Sequence, residues 1–388
     1  MRRVLAGFVV VAAVLALPLP GARAAPDPTW SRWFPFQATG LAAAPGGTVV
    51  VVGNSTDDYP GGRNLMRAFR SRGTLAWASS WKPAGAGVRA YGMDASAAGI
   101  FTSGVIALPE GGEVGIFGWF VRRATGSTWL RTPAGWREGA STGGGPIGAG
   151  GGVVAIGTTQ YIEGYQDIHG VVRGFDASGR KLWINGFEPF PVPGAHGYDA
   201  DDVTAVAVDT HGRTYAAGWA WRDAEEGASD HEAALMALDR DGSRRWVRVL
   251  GEPGSPAQGD NDKGSDVEVR DDHVMFGAVL DRQDAPSVAR IFAYTSGGRV
   301  RWTRGFPTSM SWWKSSVEVV PGANGVAYVA IIRPVTHDHD DLVIRKLGSD
   351  GHTIWSRRLS STAGLVDIAV GSGDLYVLSH HRLWRFPA

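Results

Sequence analysis

Val203 to Val208 (VTAVAV), Asp209-Thr-His-Gly212, Thr214 to Ala220 (TYAAGWA), Ala234 to Leu238, Asp239-Arg-Asp-Gly242 and Arg245 to Leu250 (RWVRVL) read as four short β-strands. Two tight turns and one longer loop separate them. The apolar runs are short, β-branched and bounded by turn residues, and no helical period is sustained. The glycine closing each tight turn supplies the positive φ that such hairpins require. Trp246 follows Gly242 by four positions and falls in the fourth strand. Working outward, the same glycine and tryptophan recur as Gly73-Thr-Leu-Ala-Trp77, Gly126-Ser-Thr-Trp129, Gly179-Arg-Lys-Leu-Trp183, Gly298-Arg-Val-Arg-Trp302 and Gly351-His-Thr-Ile-Trp355. Successive tryptophans lie 52, 54, 63, 56 and 53 residues apart. A period near fifty is too long for a helical hairpin repeat and suits a four-stranded propeller blade.

Counting from Trp355, only three strands remain: Leu365 to Val370, Asp374 to Ser379 and Arg382 to Phe386. The missing fourth stands at the other end, where Thr29-Trp-Ser-Arg-Trp-Phe-Pro35 matches Ile354-Trp-Ser-Arg-Arg-Leu-Ser360 and Arg301-Trp-Thr-Arg-Gly-Phe-Pro307. The expected fold is therefore all-β: a seven-bladed β-propeller of four-stranded antiparallel blades, closed by an N-terminal strand that completes blade seven. Closure would remove both free edges. The tryptophans would form a ring, each packing against a neighbouring blade.

The N-terminus reads as an export signal. Arg2 and Arg3 precede an apolar run from Val4 to Leu17, and Ala22-Arg23-Ala24 follows Pro18 and Pro20. Such a run is too short to span a bilayer, and Ala-x-Ala is a cleavage pattern. The expected division is residues 1–24 as signal peptide and 25–388 as one propeller domain, secreted or periplasmic, with no membrane segment after cleavage. Of 388 residues none is Cys, which excludes disulfides, thiolate zinc sites and thiol nucleophiles. Lys+Arg and Asp+Glu both number 38, a balance that argues against nucleic acid as a partner.

Three stretches carry a family likeness: Gly197-YDADDVTAVAVDTHGRTYAAG-Trp219, Ala234-LMALDRDGSRRWVRVL-Gly251 and Asp341-LVIRKLGSDGHTIWSRRL-Ser360. They resemble the secreted bacterial seven-bladed propeller repeats with an Asp before the innermost strand, a VDxxGxxY hairpin and a KLxxxGxxxW hairpin. The resemblance implies the same propeller fold over nearly all of the mature chain. Through Gly-x-x-x-Trp the chain also resembles quinoprotein dehydrogenases, whose propellers usually have eight blades and bind pyrroloquinoline quinone. It departs from them in blade count and in lacking their vicinal cysteines.

In such a blade the turns after the first and third strands are short here, while the two-to-three and blade-to-blade loops are long and share the opposite face, where function is expected. Its loops carry Tyr59, Tyr165, Tyr198, Trp312 and Trp313, aromatics suited to protein patches and sugar faces alike. Asp260, Asp262 and Asp266 place acidic oxygens as at the opening of a calcium loop, without the distal glutamate of an EF-hand; Asp266, like Asp202, also precedes an innermost strand, where a carboxylate ordinarily accepts backbone N–H groups, and the sequence favours that role. His337 and His339, in an alternating His/Asp run, offer imidazoles to a transition metal or form a solvated polar run. Calcium is the one cofactor these patterns suggest.

Inside the ring, Glu268, Glu318 and Asp367 occupy innermost strands (SDVEV, SSVEV, LVDIA), and Asp94 has a similar place. Convergent channel carboxylates could divide into acid and base roles, as in propeller glycosidases and lyases. Against this, Arg outnumbers Lys 33 to 5, and the sequence favours each carboxylate pairing with an inter-blade arginine. The expected function is binding of an extracellular protein or glycan through an acidic, loop-rich face, by a monomer. A polysaccharide lyase or hydrolase and a non-catalytic envelope scaffold are the alternatives.

Overall fold

The structure is a computed structural model, and it describes residues 23–24, 26–55, 62–82, 87–107, 113–116, 145–162, 167–188, 201–223, 229–250, 262–281, 286–308, 315–336, 339–361 and 365–387. Apart from one 3-10 turn at Ala323–Gly325, its regular elements are all β-strands. They form seven sheets. Sheet I holds Gln37–Ala44, Thr48–Asn54, Asn64–Arg70 and Leu75–Trp81. Sheet II holds Gly87–Ser96, Gly99–Ala107 and Glu113–Ile116. Sheet III holds Ile147–Gly150, Val153–Ile162, Asp167–Asp176 and Lys181–Phe187. Sheet IV holds Asp202–Val208, Thr214–Asp223, Ser229–Leu238 and Arg244–Leu250. Sheet V holds Lys263–Arg270, His273–Leu280, Val288–Thr295 and Val300–Pro307. Sheet VI holds Val317–Pro321, Ala327–Thr336, His339–Leu347 and Thr353–Ser361.

Sheet VII is built from both ends of the chain. Leu365–Gly371, Asp374–Ser379 and Arg382–Pro387 are completed by Trp30–Trp33, which runs antiparallel to the last strand with Trp30 opposite Arg385 and Trp33 opposite Arg382. The first strand of each sheet touches the first strand of the next, and Leu365–Gly371 of the last touches Gln37–Ala44 of the first, so the arrangement is a β-propeller. Six sheets have the expected complement of four strands. Sheet II shows three, and its expected fourth, around Trp129, lies outside the described residues. Sheet VI gains a short fifth, Arg23–Ala24, parallel to Trp355 and Ser356.

The glycine and tryptophan motif is explained by the seams between sheets. In the described hairpins the turn before the fourth strand closes with a backbone hydrogen bond from its glycine, as from Gly242 to Asp239 O (2.9 Å), and a bulge at Arg245 follows, Leu238 pairing with Arg244 and Ala237 with Trp246. Gly73, Gly242, Gly298 and Gly351 all take φ near +80° in this turn. Each is also where the tryptophan of the preceding sheet lands. A Cβ on Gly242 would lie 2.6 Å from Trp183 Cγ, and one on Gly298 2.8 Å from Trp246 Cδ2. Gly73 meets Trp30 and Gly351 meets Trp302 in the same way. The indole N–H then donates to a carbonyl of that turn: Trp30 to Ser71 (2.9 Å), Trp183 to Arg240 (2.9 Å) and Trp246 to Ser296 (3.0 Å).

Two residues after the tryptophan a second donor finishes the seam. Arg32 Nε donates to Gly73 O (2.8 Å), Asn185 Nδ2 to Gly242 O (3.0 Å), Arg248 Nη2 to Gly298 O (2.8 Å) and Arg304 Nε to Gly351 O (3.0 Å). Behind these contacts the facing sheets bury their apolar pleats, for example Val153, Ala155, Phe187, Val203, Ala216 and Met236 between sheets III and IV.

A pair of alanine substitutions separates the two demands on these glycines. Gly242→Ala meets both a left-handed backbone (φ +84°) and the Trp183 ring, whereas Gly46→Ala meets a similar backbone (φ +92°) with nothing within 4 Å. The expected loss in chemical denaturation is roughly 1–2 kcal/mol for Gly46→Ala, and roughly 1–3 kcal/mol more for Gly242→Ala. Equal losses would show that the seam tolerates a methyl group.

Candidate functional site

The innermost strands bring five carboxyl groups together in the middle of the ring. Asp266 and Asp367 each directly follow the bulge that interrupts their strand's pairing, between Gly264 and Asp266 in sheet V and between Leu365 and Asp367 in sheet VII. Glu268 lies two residues further along its strand and so points to the same side. Asp94 lies two residues beyond the bulge in sheet II. Glu318, in sheet VI, is hydrogen-bonded to Asp266. The sequence motif aligns Glu318 with Glu268, but the hairpin of sheet VI turns through a longer loop, Gly322 to Val326, and Glu318 stands at the level of Asp266 instead.

Three of these groups clasp the ring as well as lining it. Asp94 Oδ2 accepts the N–H of Ala149 (2.6 Å) in sheet III, Asp266 Oδ2 that of Val319 (2.7 Å) in sheet VI, and Asp367 Oδ2 that of Leu41 (2.8 Å) in sheet I. These bonds oppose desolvation, which dominates. Asp94 and Asp266 are each pushed up to about 6 by burial, against the pull of their backbone donors. Glu268 is held well above the usual carboxylate range by burial and then by the negative charges of Asp266, Asp94 and Asp367. Glu318 is raised likewise, by burial and then by Asp266 and Asp367, with the Lys263 cation in opposition. Asp367 is raised by burial and then by Asp266. All five side chains are half-buried by accessible surface. Strong desolvation with residual exposure is the signature of a narrow, carboxyl-lined channel.

The expectation that each channel carboxylate meets an arginine is overturned: among the described residues, no ion pair involves any of the five. The arginines are spent elsewhere. Several reach across seams as described above, and others pair with turn and strand aspartates, as Arg213 with Asp209, Arg385 with Asp374 and Arg358 with Asp341. Burial without an ion-pair partner favours the protonated form of each of these carboxyls. The hydrogen bond between Asp266 and Glu318 lowers the first and raises the second, so within the pair Glu318 is the better proton donor and Asp266 the better acceptor.

Asp262 and Asp266 do not act together as the calcium-loop pattern suggested. Asp262 is buried and its Oδ1 accepts the N–H of Asp281 (2.9 Å), while Asp266 belongs to the channel. No group of three or more potential metal ligands occurs among the described residues. Tyr59, Tyr165, Tyr198, Trp312, Trp313, Asp260 and His337 lie outside the described residues, and for His339 only the strand position is described.

Two cavities open on the face of short turns. One, of about 620 Å³, sits at the end of the inner strands of sheets II to V and is lined by Ala95, Gly150, Gly151, Thr210, Arg270 and Asp271 among others. Asp94 and Glu268 each lie one residue inward of this lining, next to Ala95 and Val269, so it is a mouth of the channel. The other, of about 650 Å³, lies outward between the turns of sheets III and IV, by Arg180, Trp183 and Asp239.

No protein-family model and no curated protein matches this chain. Solved structures do match in shape. A europium-containing methanol dehydrogenase aligns at 11% identity and a TM-score of 0.47, covering 90% of this chain and 76% of that one. BBS1N, solved in complex with ARL6DN, aligns at 7% identity and a TM-score of 0.47, covering 95% and 98%. A Trypanosoma rangeli sialidase in complex with the inhibitor DANA aligns at 11% identity and a TM-score of 0.41, covering 91% and 55%. At these identities and scores the likenesses say nothing of activity.

The raised carboxyls set a pH dependence. Their folded pKa values exceed the unfolded ones, so their stabilising effect is complete below about pH 4 and is lost as pH rises through 6 and beyond. Asp176, lowered to about 2 against its burial by hydrogen bonds from Ser178 and Arg180, acts oppositely and loses its effect only below about pH 4. The melting temperature should therefore be higher at pH 5 than at pH 8, by on the order of 5 °C. Combining Glu268→Gln with Glu318→Gln should flatten that decline. An unchanged slope in the double variant would show that these groups titrate normally.

Proposed function

We propose that the protein is an exported, monomeric, seven-bladed β-propeller, closed by its N-terminal strand, that binds an extracellular protein or glycan. The ligand approaches over the loop-rich face and presents a cationic group to the channel. The observation that carries this reading is that Asp266, Glu318 and Asp367, from three consecutive sheets, share one tier of the channel without an arginine partner. A lysine, arginine or amino-sugar group entering there would supply the missing positive charge and draw protons off the cluster. The loop aromatics Tyr59, Tyr165, Tyr198, Trp312 and Trp313 supply the apolar contact in this reading. The signal-like segment at residues 1–24 supports export, and seven sheets in cyclic contact support the blade count.

One observation favours a second reading. The Asp266–Glu318 hydrogen bond, with Glu268 held well above the usual carboxylate range beside it, sets one carboxyl as the better acid and another as the better base, the split of roles used in acid–base cleavage of glycans.

The test uses a lysine-rich peptide, chitosan oligomers and a panel of neutral and acidic polysaccharides. Binding and turnover are measured for the parent, for Glu318→Gln, for Trp312→Ala/Trp313→Ala and for Glu268→Gln. The binding reading expects cationic probes alone to bind, more weakly at high salt and at pH 5 than at pH 8. It also expects Glu318→Gln and the tryptophan double variant each to weaken them roughly tenfold or more. Salt-independent binding of neutral glycans would overturn it. Turnover of any polysaccharide, abolished by Glu268→Gln and kept by the tryptophan variant, would replace it with the enzyme.

A further inference from the structure

At four seams the donor two residues after the tryptophan reaches the glycine carbonyl of the next sheet's last turn: Arg32, Asn185, Arg248 and Arg304. Arg357, two residues after Trp355, has no such turn to reach. In sheet VII no hairpin joins the third and fourth strands, because the fourth, Trp30–Trp33, precedes all the other blade strands in the chain and the third, Arg382–Pro387, follows them. Arg357 instead donates from Nη1 to Pro26 O (2.7 Å) and from Nη2 to Asp27 Oδ1 (2.8 Å). Its guanidinium also lies 5.8 Å from the centre of the Phe386 ring, on the third strand of sheet VII. Residues 26–27 thus stand where a covalent turn stands elsewhere. Just beyond them Thr29 N donates to Arg385 O (2.9 Å), and Arg385 Nη1 donates to Thr29 Oγ1 (2.9 Å).

We infer that this seam is a latch at which the ring opens, and that Arg357 is its catch. The described seams at Gly73, Gly242, Gly298 and Gly351 are each backed by a continuous hairpin, so releasing a tryptophan there leaves the sheet whole. Here, release of residues 26–33 takes away the outer strand of sheet VII and with it Trp30, which fills the seam to sheet I at Gly73. The same two sheets are joined in the channel by Asp367 and Leu41. Opening the latch therefore loosens the wall that holds one of the channel carboxyls, and the inference stands whether or not the channel receives a ligand.

Hydrogen exchange of the full chain, read by mass spectrometry, tests it. In Arg357→Gln the amides of residues 30–33 and of their partners 382–385 should exchange about tenfold faster, the loss of a charge-assisted hydrogen bond, with sheets III to V unchanged. Arg304→Gln removes the equivalent donor from a seam with an intact turn and should leave residues 30–33 as in the parent. Should Arg357→Gln fail to fold, Arg357→Lys, which keeps the charge without the two-pronged grip, should show a smaller acceleration at the same residues. Parent-like exchange at 30–33 in the folded Arg357 variant, or equal acceleration in Arg304→Gln, would overturn the latch.

Discussion

The contact on which the rest depends is a tryptophan laid against a glycine. A turn residue with positive φ is needed to reverse the chain before each fourth strand, and glycine meets that need cheaply. The same missing Cβ leaves a flat seat for the indole of the previous sheet, with carbonyls left facing outward as acceptors. One residue type thus solves a local problem of chirality and a long-range problem of packing. The seams are in consequence alike, and a ring of similar sheets closes without disulfides, which a chain with no cysteine could not supply. Adjacent sheets joined in this way need little more from the inner strands, many of whose positions are Ala, Gly or Val. That economy leaves room for carboxyls near the axis.

The repeat was legible in the sequence because its signal is carried by rare, large residues at fixed offsets from glycine. Trp30 could be recognised from Trp-Ser-Arg alone, and it does complete the last sheet. The channel was only partly legible. Glu268, Glu318 and Asp367 stood out as acids in apolar strands. Asp266 was grouped with Asp260 and Asp262, because alternate oxygens before a strand look the same whether the strand begins at the first or the last of them. A strand that begins at Lys263 turns Asp266 inward and leaves Asp262 at its edge. The level of Glu318 depended on the length of a hairpin turn, which no residue pattern announces.

The arginine expectation failed for a physical reason. A surplus of arginine does suit bidentate pairing, but carbonyl oxygens left exposed by tight turns compete for the same donors. Arg32, Arg248 and Arg304 satisfy those carbonyls across seams, at the periphery and far along the strand from the axis. An arginine in the channel would have to extend from an inner strand toward several others in a space already narrowed by inward-facing side chains. Composition reports how many donors exist; only the topology says where acceptors are left over.

Carboxyls without counter-charge near the axis would repel one another strongly if all were ionised, and protonation relieves this at the expense of making the fold sensitive to pH. Purely structural clasps do not need that sensitivity. Asp94, Asp266 and Asp367 have a clear role in accepting N–H groups between sheets, but a backbone donor could be satisfied as well by an amide or hydroxyl side chain, with no charge to bury. Glu268 and Glu318 do not share that excuse: among the described residues neither accepts an N–H from the next sheet, and each is raised well above the usual carboxylate range by burial and then by the charges of its neighbours. An acid whose ionisation is opposed by burial and by neighbouring acids gives up its proton more readily when a positive charge arrives, because the newcomer stabilises the ionised form of every member at once. The arrangement therefore couples occupancy of the channel to proton release more tightly than any single buried carboxylate could, and that coupling is the physical ground for placing function at the axis.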